Sequence, residues 1–316
     1  MKYESEADIM DGRGPMVIST EDLWLIIIAI SMGTMARLLV LKVDYKQYPS
    51  YPNGVLIHVV LAFVAASIGA VAIPAIKSNN YTAVTFLALA VQNFRDVRKT
   101  ERESLKDLEE TEYTPRGNAY IDGIAKTFEA RNYFALVVSL TTAASMAIVA
   151  ALHIGIMYQV VAGVLAGYIV YQMISRFSKG KSVGDVAAVR LAEIKVEGCE
   201  VSVEGTFVTN LAGTQNAQKM IAKEGVAVII EPNQKHSAIA LHNFGQRKAI
   251  LFEATRTLGA KRYNFTRKDY ETGKIIILFV PIVRDLEKLI DVVKNTPLLE
   301  SVKKSHAVLR SKAVED

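Results

Sequence analysis

Residues 133–152 and 154–174 carry no charged side chain. A helix needs about 20 apolar residues, at 1.5 Å of rise each, to cross about 30 Å of hydrocarbon. Two such runs in tandem constrain the chain to a membrane fold over this region. Residues 55–76 form a third run of that kind, and residues 23–41 a fourth, broken only by Arg37 near its end. Arg37 is tolerable there if its side chain reaches the interface. A fifth segment, 81–94, is short because Arg95 ends it. The apolar content of 51% suits a chain that is half membrane and half soluble.

Orientation follows from the basic residues. Residues 95–131 hold eight Lys and Arg, whereas the connections 77–80 and 153–155 hold one and none. The positive-inside rule places 95–131 and everything after the last span in the cytoplasm. Five crossings put the acidic residues 1–22 outside; if 81–94 does not cross, the count is four and the N-terminus is cytoplasmic. A cleavable signal peptide is not expected, because residues 1–23 carry six acidic and two basic side chains.

From residue 176 the pattern changes to frequent charge and short apolar runs. "EIKVEG" and "EVSVEGTFV" alternate with period two, and "GVAVIIEP" and "KIIILFVP" read as buried strands. "NAQKMIAKEG", "SAIALHNFGQRKAILFEATRTLG" and "DLEKLIDVVK" read as helices, the second ended by Gly259. The expected fold is thus an α-helical polytopic membrane bundle of about five transmembrane helices, followed by a soluble cytoplasmic α/β domain. The expected boundaries are an acidic tail over 1–22, the bundle with amphipathic cytoplasmic helices (95–131) over 23–175, and the soluble domain over 176–316.

Several motifs fail on context. "GKSVG" at 180–184 matches G-x-S-x-G, but a membrane helix precedes the serine where a nucleophile elbow needs a strand. A P-loop needs glycine where Ser175 stands. The single Cys199 excludes an internal disulfide framework and a thiolate cluster. No cofactor and no metal site is expected. The region from Arg176 carries 23 basic against 16 acidic residues. That bias suits a domain beside an anionic leaflet, and nucleic acid is not an expected partner without a recognition motif.

Charge placement selects the candidate site. Arg95, Asp96, Arg98, Glu101 and Arg102 stand at the cytoplasmic end of the third segment, and Asp122, Glu129 and Arg131 come to the same depth before the fourth. Charges at the edge of hydrocarbon are costly unless paired or hydrated, so these groups are expected to form a polar cluster. The bland alternative is an amphipathic helix with Ile121, Ile124, Ala125 and Phe128 as its apolar stripe. Arg37, Asp44, Gln47 and His58 are secondary candidates. Gly163 and Gly167 form a GxxxG in the fifth span, and small residues recur at 62, 66 and 70 and at 143, 147 and 151. Such spacing lets helices approach closely, within the bundle or in a homo-oligomer.

Tyr120, Ile121, Asp122, Gly123, Ile124 and Ala125 spell "YIDGIA". With "DYKQYPSYP", "VTFLALAVQNFRDVRKTERESL", "FEARNY", "NFGQRKAIL" and "TGKIIILFVP", the chain resembles the YIEGIA family of multi-pass membrane proteins from endospore-forming Firmicutes. Aspartate stands at 122 where the family name has glutamate. The resemblance implies a sporulation-linked integral membrane protein in a membrane of the sporulating cell. Its expected partners are the bilayer and a protein in sporulating cells, bound or regulated through the cytoplasmic domain and the polar cluster. The alternative is a membrane-embedded protease acting on a sporulation protein. No catalytic residue is carried over.

Overall fold

The computed structural model describes residues 19–44, 52–177, 180–299 and 302. The chain divides into two units, one of residues 1–101 and 125–179, the other of residues 102–124 and 180–316. Residues 1–18, most of the expected acidic tail, and residues 45–51 lie outside the described residues.

The first unit is helical: α1 (Thr20–Asp44), α2 (Pro52–Lys77), α3 (Tyr81–Glu109), α4 (Asn118–Ala151) and α5 (Ile156–Phe177). α3 and α4 each contribute one end to the second unit. Among the described residues four helices are long and apolar enough to cross a membrane, namely α1, α2, α4 and α5. α3 is not among them, since its apolar part stops at Phe94.

Contacts order the unit by depth. At one end Lys77 Nζ lies 3.2 Å from an Asp22 carboxylate oxygen. Next come Leu25, Ala29, Ala70 and Met146. Midway, a Cβ on Gly33 would come within 2.8 Å of both Ala66 and Ser139. At the far end lie Ala36, Val40, Phe134 and Val138, with Tyr171 and Ile174 of α5 against them. α3 runs antiparallel to α4, with Phe94 edge-on to Tyr133 (5.4 Å) and Arg98 Nη1 3.3 Å from Glu129 Oε2. It therefore starts at the Lys77 end and reaches the opposite end by Arg98.

Small residues make this closeness possible, because lipid supplies no hydrophobic drive between helices. Ala62, Ala66 and Ala70 are fully buried. A Cβ on Gly163 would fall 2.5 Å from Met146 Cγ, and one on Gly167 would overlap Thr142 Oγ1. Both glycines thus face α4 of the same chain. Gly167→Ala should cost about 1–3 kcal/mol by overpacking, read as a lower melting temperature of the detergent-solubilised protein. Gly155→Ala, where a Cβ meets nothing within 4 Å, is the control.

Among the described residues the second unit holds seven strands: β1 (Ala187–Ala192), β2 (Ile194–Glu197), β3 (Glu200–Val203), β4 (Thr206–Thr209), β5 (Val226–Pro232), β6 (Ala260–Lys268) and β7 (Ile275–Pro281). Its further helices are α6 (Gln215–Glu224), α7 (Lys235–His242), α8 (Phe244–Leu258) and α9 (Leu286–Asn295). One sheet has the order β1-β5-β7-β6 and the other the order β2-β3-β4. Every pairing is antiparallel. The helix-and-sheet domain expected from the sequence is present, but its strands are antiparallel, which makes it α+β in the strict sense.

The continuous apolar runs of β5 and β7 follow from burial on both faces. Val228, Ile230, Ile275, Ile277 and Phe279 face a core completed by Ile250, Leu258 and Leu289 of α8 and α9. Ala227, Ile229, Ile276, Leu278 and Val280 face Val201, Val203, Val208 and Ile221 of the smaller sheet and α6. The expected single helix over 237–258 is two helices. Asn243 leaves the helical region (φ −57°, ψ 130°), and its Oδ1 accepts hydrogen bonds from the amides of Gly245 and Gln246. That is the behaviour of an N-cap asparagine. Gly259, at φ 69°, ends α8 as the sequence suggested.

Candidate functional site

In the helical unit a polar layer forms where α1, α2 and α4 meet. Arg37 is fully buried, although the sequence allowed it a way out to the interface. Its Nη2 lies 3.3 Å from His58 Nδ1. A guanidinium only donates, so Nδ1 accepts and the imidazole proton sits on Nε2. Phe128 of α4 completes the group, its ring 5.6 Å from the Arg37 Cζ and 5.0 Å from the His58 ring.

One turn further along α4, Asn132 is fully buried, and neither its Oδ1 nor its Nδ2 has a hydrogen-bond partner among the described residues. One turn before Arg37, the Thr34 hydroxyl is likewise buried without a partner. An unmet buried amide costs about 1–3 kcal/mol, and ionisable groups inside a membrane mark sites by default. The Ser139 hydroxyl donates to the Ala66 carbonyl at 2.6 Å and is spent on helix packing.

The sequence-selected residues fall into three groups. Arg98 and Glu129 form the ion pair already described, 33% and 15% exposed. Arg131 is buried, whereas Arg95, Asp96 and Arg102 are exposed and Glu101 is half-buried. Asp122 is half-buried and belongs to the segment that groups with the sheet unit. Asp44 ends α1, its side chain outside the described residues, as is all of Gln47. A double-mutant cycle on Arg98→Ala and Glu129→Ala should give a coupling of about 0.5–1 kcal/mol, the scale of a partly exposed pair. The measurement is thermal unfolding of the four purified proteins.

In the sheet unit the start of "YIDGIA" is held by residues that the sequence reading passed over. Gly117, at φ 89°, turns the chain into α4. Tyr120 is buried, and its hydroxyl donates to Glu253 Oε1 in α8. The other oxygen of Glu253 accepts from Arg256 Nη2 at 2.7 Å. Phe252 sits between the Tyr120 ring, edge-on at 6.2 Å, and the Arg116 guanidinium at 4.8 Å. Thr114, earlier in the same segment, accepts from Asn264 Nδ2 of β6 at 2.7 Å. The available signal was a lone acid in "AILFEAT", a run otherwise made for burial. Gln246 was also missed; fully buried, it bonds Pro297 O and Leu299 N and pins the segment after α9.

A family model described as YIEGIA protein matches residues 25–308. A protein of Bacillus subtilis (strain 168), described as uncharacterized protein YphB, is 32% identical over 283 residues, covering 87% of this chain and 92% of that one. No solved structure matches.

Proposed function

The chain belongs to the YIEGIA family, and we propose that it is a sporulation-associated membrane protein that crosses the bilayer five times and binds a protein partner through a cytoplasmic sheet domain. The five-crossing reading rests on α3, which covers the same depth as α2 between the Lys77 end and the Arg98–Glu129 pair. Its exposed Tyr81, Phe86 and Leu89 suit a lipid-facing surface. The cytoplasmic side follows from basic residues: Arg37, Arg98, Arg131 and Arg176 gather at one end of the bundle, and Lys77 stands at the other.

The observation that carries the functional reading is the use made of α4. Tyr120 anchors its first turns in the sheet unit through Glu253, and Phe128 lies under Arg37 and His58 in the helical unit. One helix without a break carries both anchors. A partner that changes either anchor can act on the other through this helix, which is a regulatory rather than a catalytic design.

The test is affinity capture of tagged protein from sporulating cells, alongside the proteomes of strains with and without the gene. A captured partner that keeps its full length in both strains supports binding. A protein whose shortened form vanishes in the deletion strain, and is regenerated by purified protein, would replace this reading with the membrane-protease one.

A further inference from the structure

In the sheet unit Arg190 pairs with Glu204 and Glu231, Lys274 with Glu231, Lys261 with Glu224 and Arg256 with Glu253. One corner brings basic residues from two elements close to aromatic rings. "GQRK" at the start of α8 supplies Arg247 and Lys248, and "TRKDY" at the end of β6 supplies Arg267 and Lys268. None of these four joins an ion pair among the described residues. Their neighbours are aromatic: Lys248 Nζ lies 4.9 Å and Arg247 Cζ 5.7 Å from the Phe244 ring, Lys268 Nζ lies 4.3 Å from Tyr270, and Arg267, on the other face of β6, lies 5.5 Å from Phe207 of β4.

Arg247 is half-buried, and its Nε has no hydrogen-bond partner among the described residues. Burial, with Arg267 nearby, pushes its guanidinium below the usual arginine range. Like charges gathered on a partly desolvated surface cost free energy until an anion joins them. Beside them is a hollow of about 210 Å³ whose lining includes Tyr113, Phe244, Lys248, Asn264 and Thr266. The Thr266 hydroxyl is buried there without a partner among the described residues. An ammonium and a buried hydroxyl donor lining one hollow, with the Arg247 guanidinium by the Phe244 ring at its edge, match phosphate oxygens, and Phe244, 60% exposed, offers a face to a flat or apolar substituent.

We infer that the corner formed by α8 and the end of β6 binds a phosphate-bearing group through Arg247 and Lys248, with Phe244 beside it. The group can come from a soluble phosphate ester or from an anionic lipid headgroup. The full chain is reconstituted in nanodiscs of phosphatidylcholine alone or mixed with phosphatidylglycerol, and phenyl phosphate is titrated into each. Hydrogen exchange of the amides at 244–248 and 266–270 is the readout.

Protection by phenyl phosphate in both discs assigns a soluble ester. Protection already present with phosphatidylglycerol, and indifferent to phenyl phosphate, assigns a headgroup. The pair Arg247→Gln and Lys248→Gln should weaken binding at least about tenfold without lowering the melting temperature, since it separates no ion pair and removes two adjacent like charges. Lys248→Gln gives a second, milder variant. Absence of protection by either probe, or equal protection in the variants, overturns the assignment.

Discussion

Arg37→Leu is expected to raise the level of folded protein in the membrane and, on the proposed sporulation role, to lower spore yield to that of a strain without the gene. A leucine in place of a fully buried arginine makes α1 easier to insert by about 3 kcal/mol. His58 keeps its ring contact with Phe128, so the helix packing survives. Quantifying membrane-inserted protein alongside spore yield reads both. Unchanged spore yield would make the Arg37–His58–Phe128 layer an accident of packing.

Glu253→Ala is expected to cost about 1–3 kcal/mol, because it leaves the Tyr120 hydroxyl buried without an acceptor. Tyr120→Phe removes one hydrogen bond and should cost about 1–2 kcal/mol. The double variant should cost less than the sum, since a phenylalanine in place of Tyr120 no longer needs the acceptor that alanine removes. Limited proteolysis between residues 102 and 124 measures the loosening directly. Equal resistance in all three variants would mean that α4 is held in the sheet unit by its apolar stripe alone. The polar anchor would then have no role.

Four of the five expected spans were legible, because crossing a bilayer demands length and apolarity, which a linear sequence displays; the segment 81–94 is not among the helices long and apolar enough. Strands β5 and β7 were legible for a related reason, since burial on both faces leaves an unbroken apolar run. The antiparallel order of the sheet was not, because β1 and β5 pair across three intervening strands. Strands β1 and β6 escaped notice because they lie at the edges of the sheet and alternate poorly. The break at Asn243 was hidden within a helix-length pattern, although asparagine ahead of glycine is a capping signal.

Part of the site was legible as well. Charges on α3 and α4 at one depth led to Arg98 and Glu129, which do meet. Arg37 was read as a residue that escapes to the interface, because nothing local shows that His58, 21 positions away, and Phe128 close over it. Tyr120 and Glu253 are 133 positions apart, and only the folded domain reveals that one holds the other.

Cys199, the single cysteine, stands exposed in the turn between β2 and β3 and offers a direct test of where the sheet domain resides. Intact protoplasts are treated with a membrane-impermeant maleimide before and after permeabilisation. The same is done for Ser19→Cys and Ser78→Cys in a Cys199→Ser background, both positions being exposed at the Lys77 end of the bundle. The account predicts that Cys199 reacts only after permeabilisation, while cysteines at 19 and 78 react in intact protoplasts. Labelling of Cys199 from outside would contradict it.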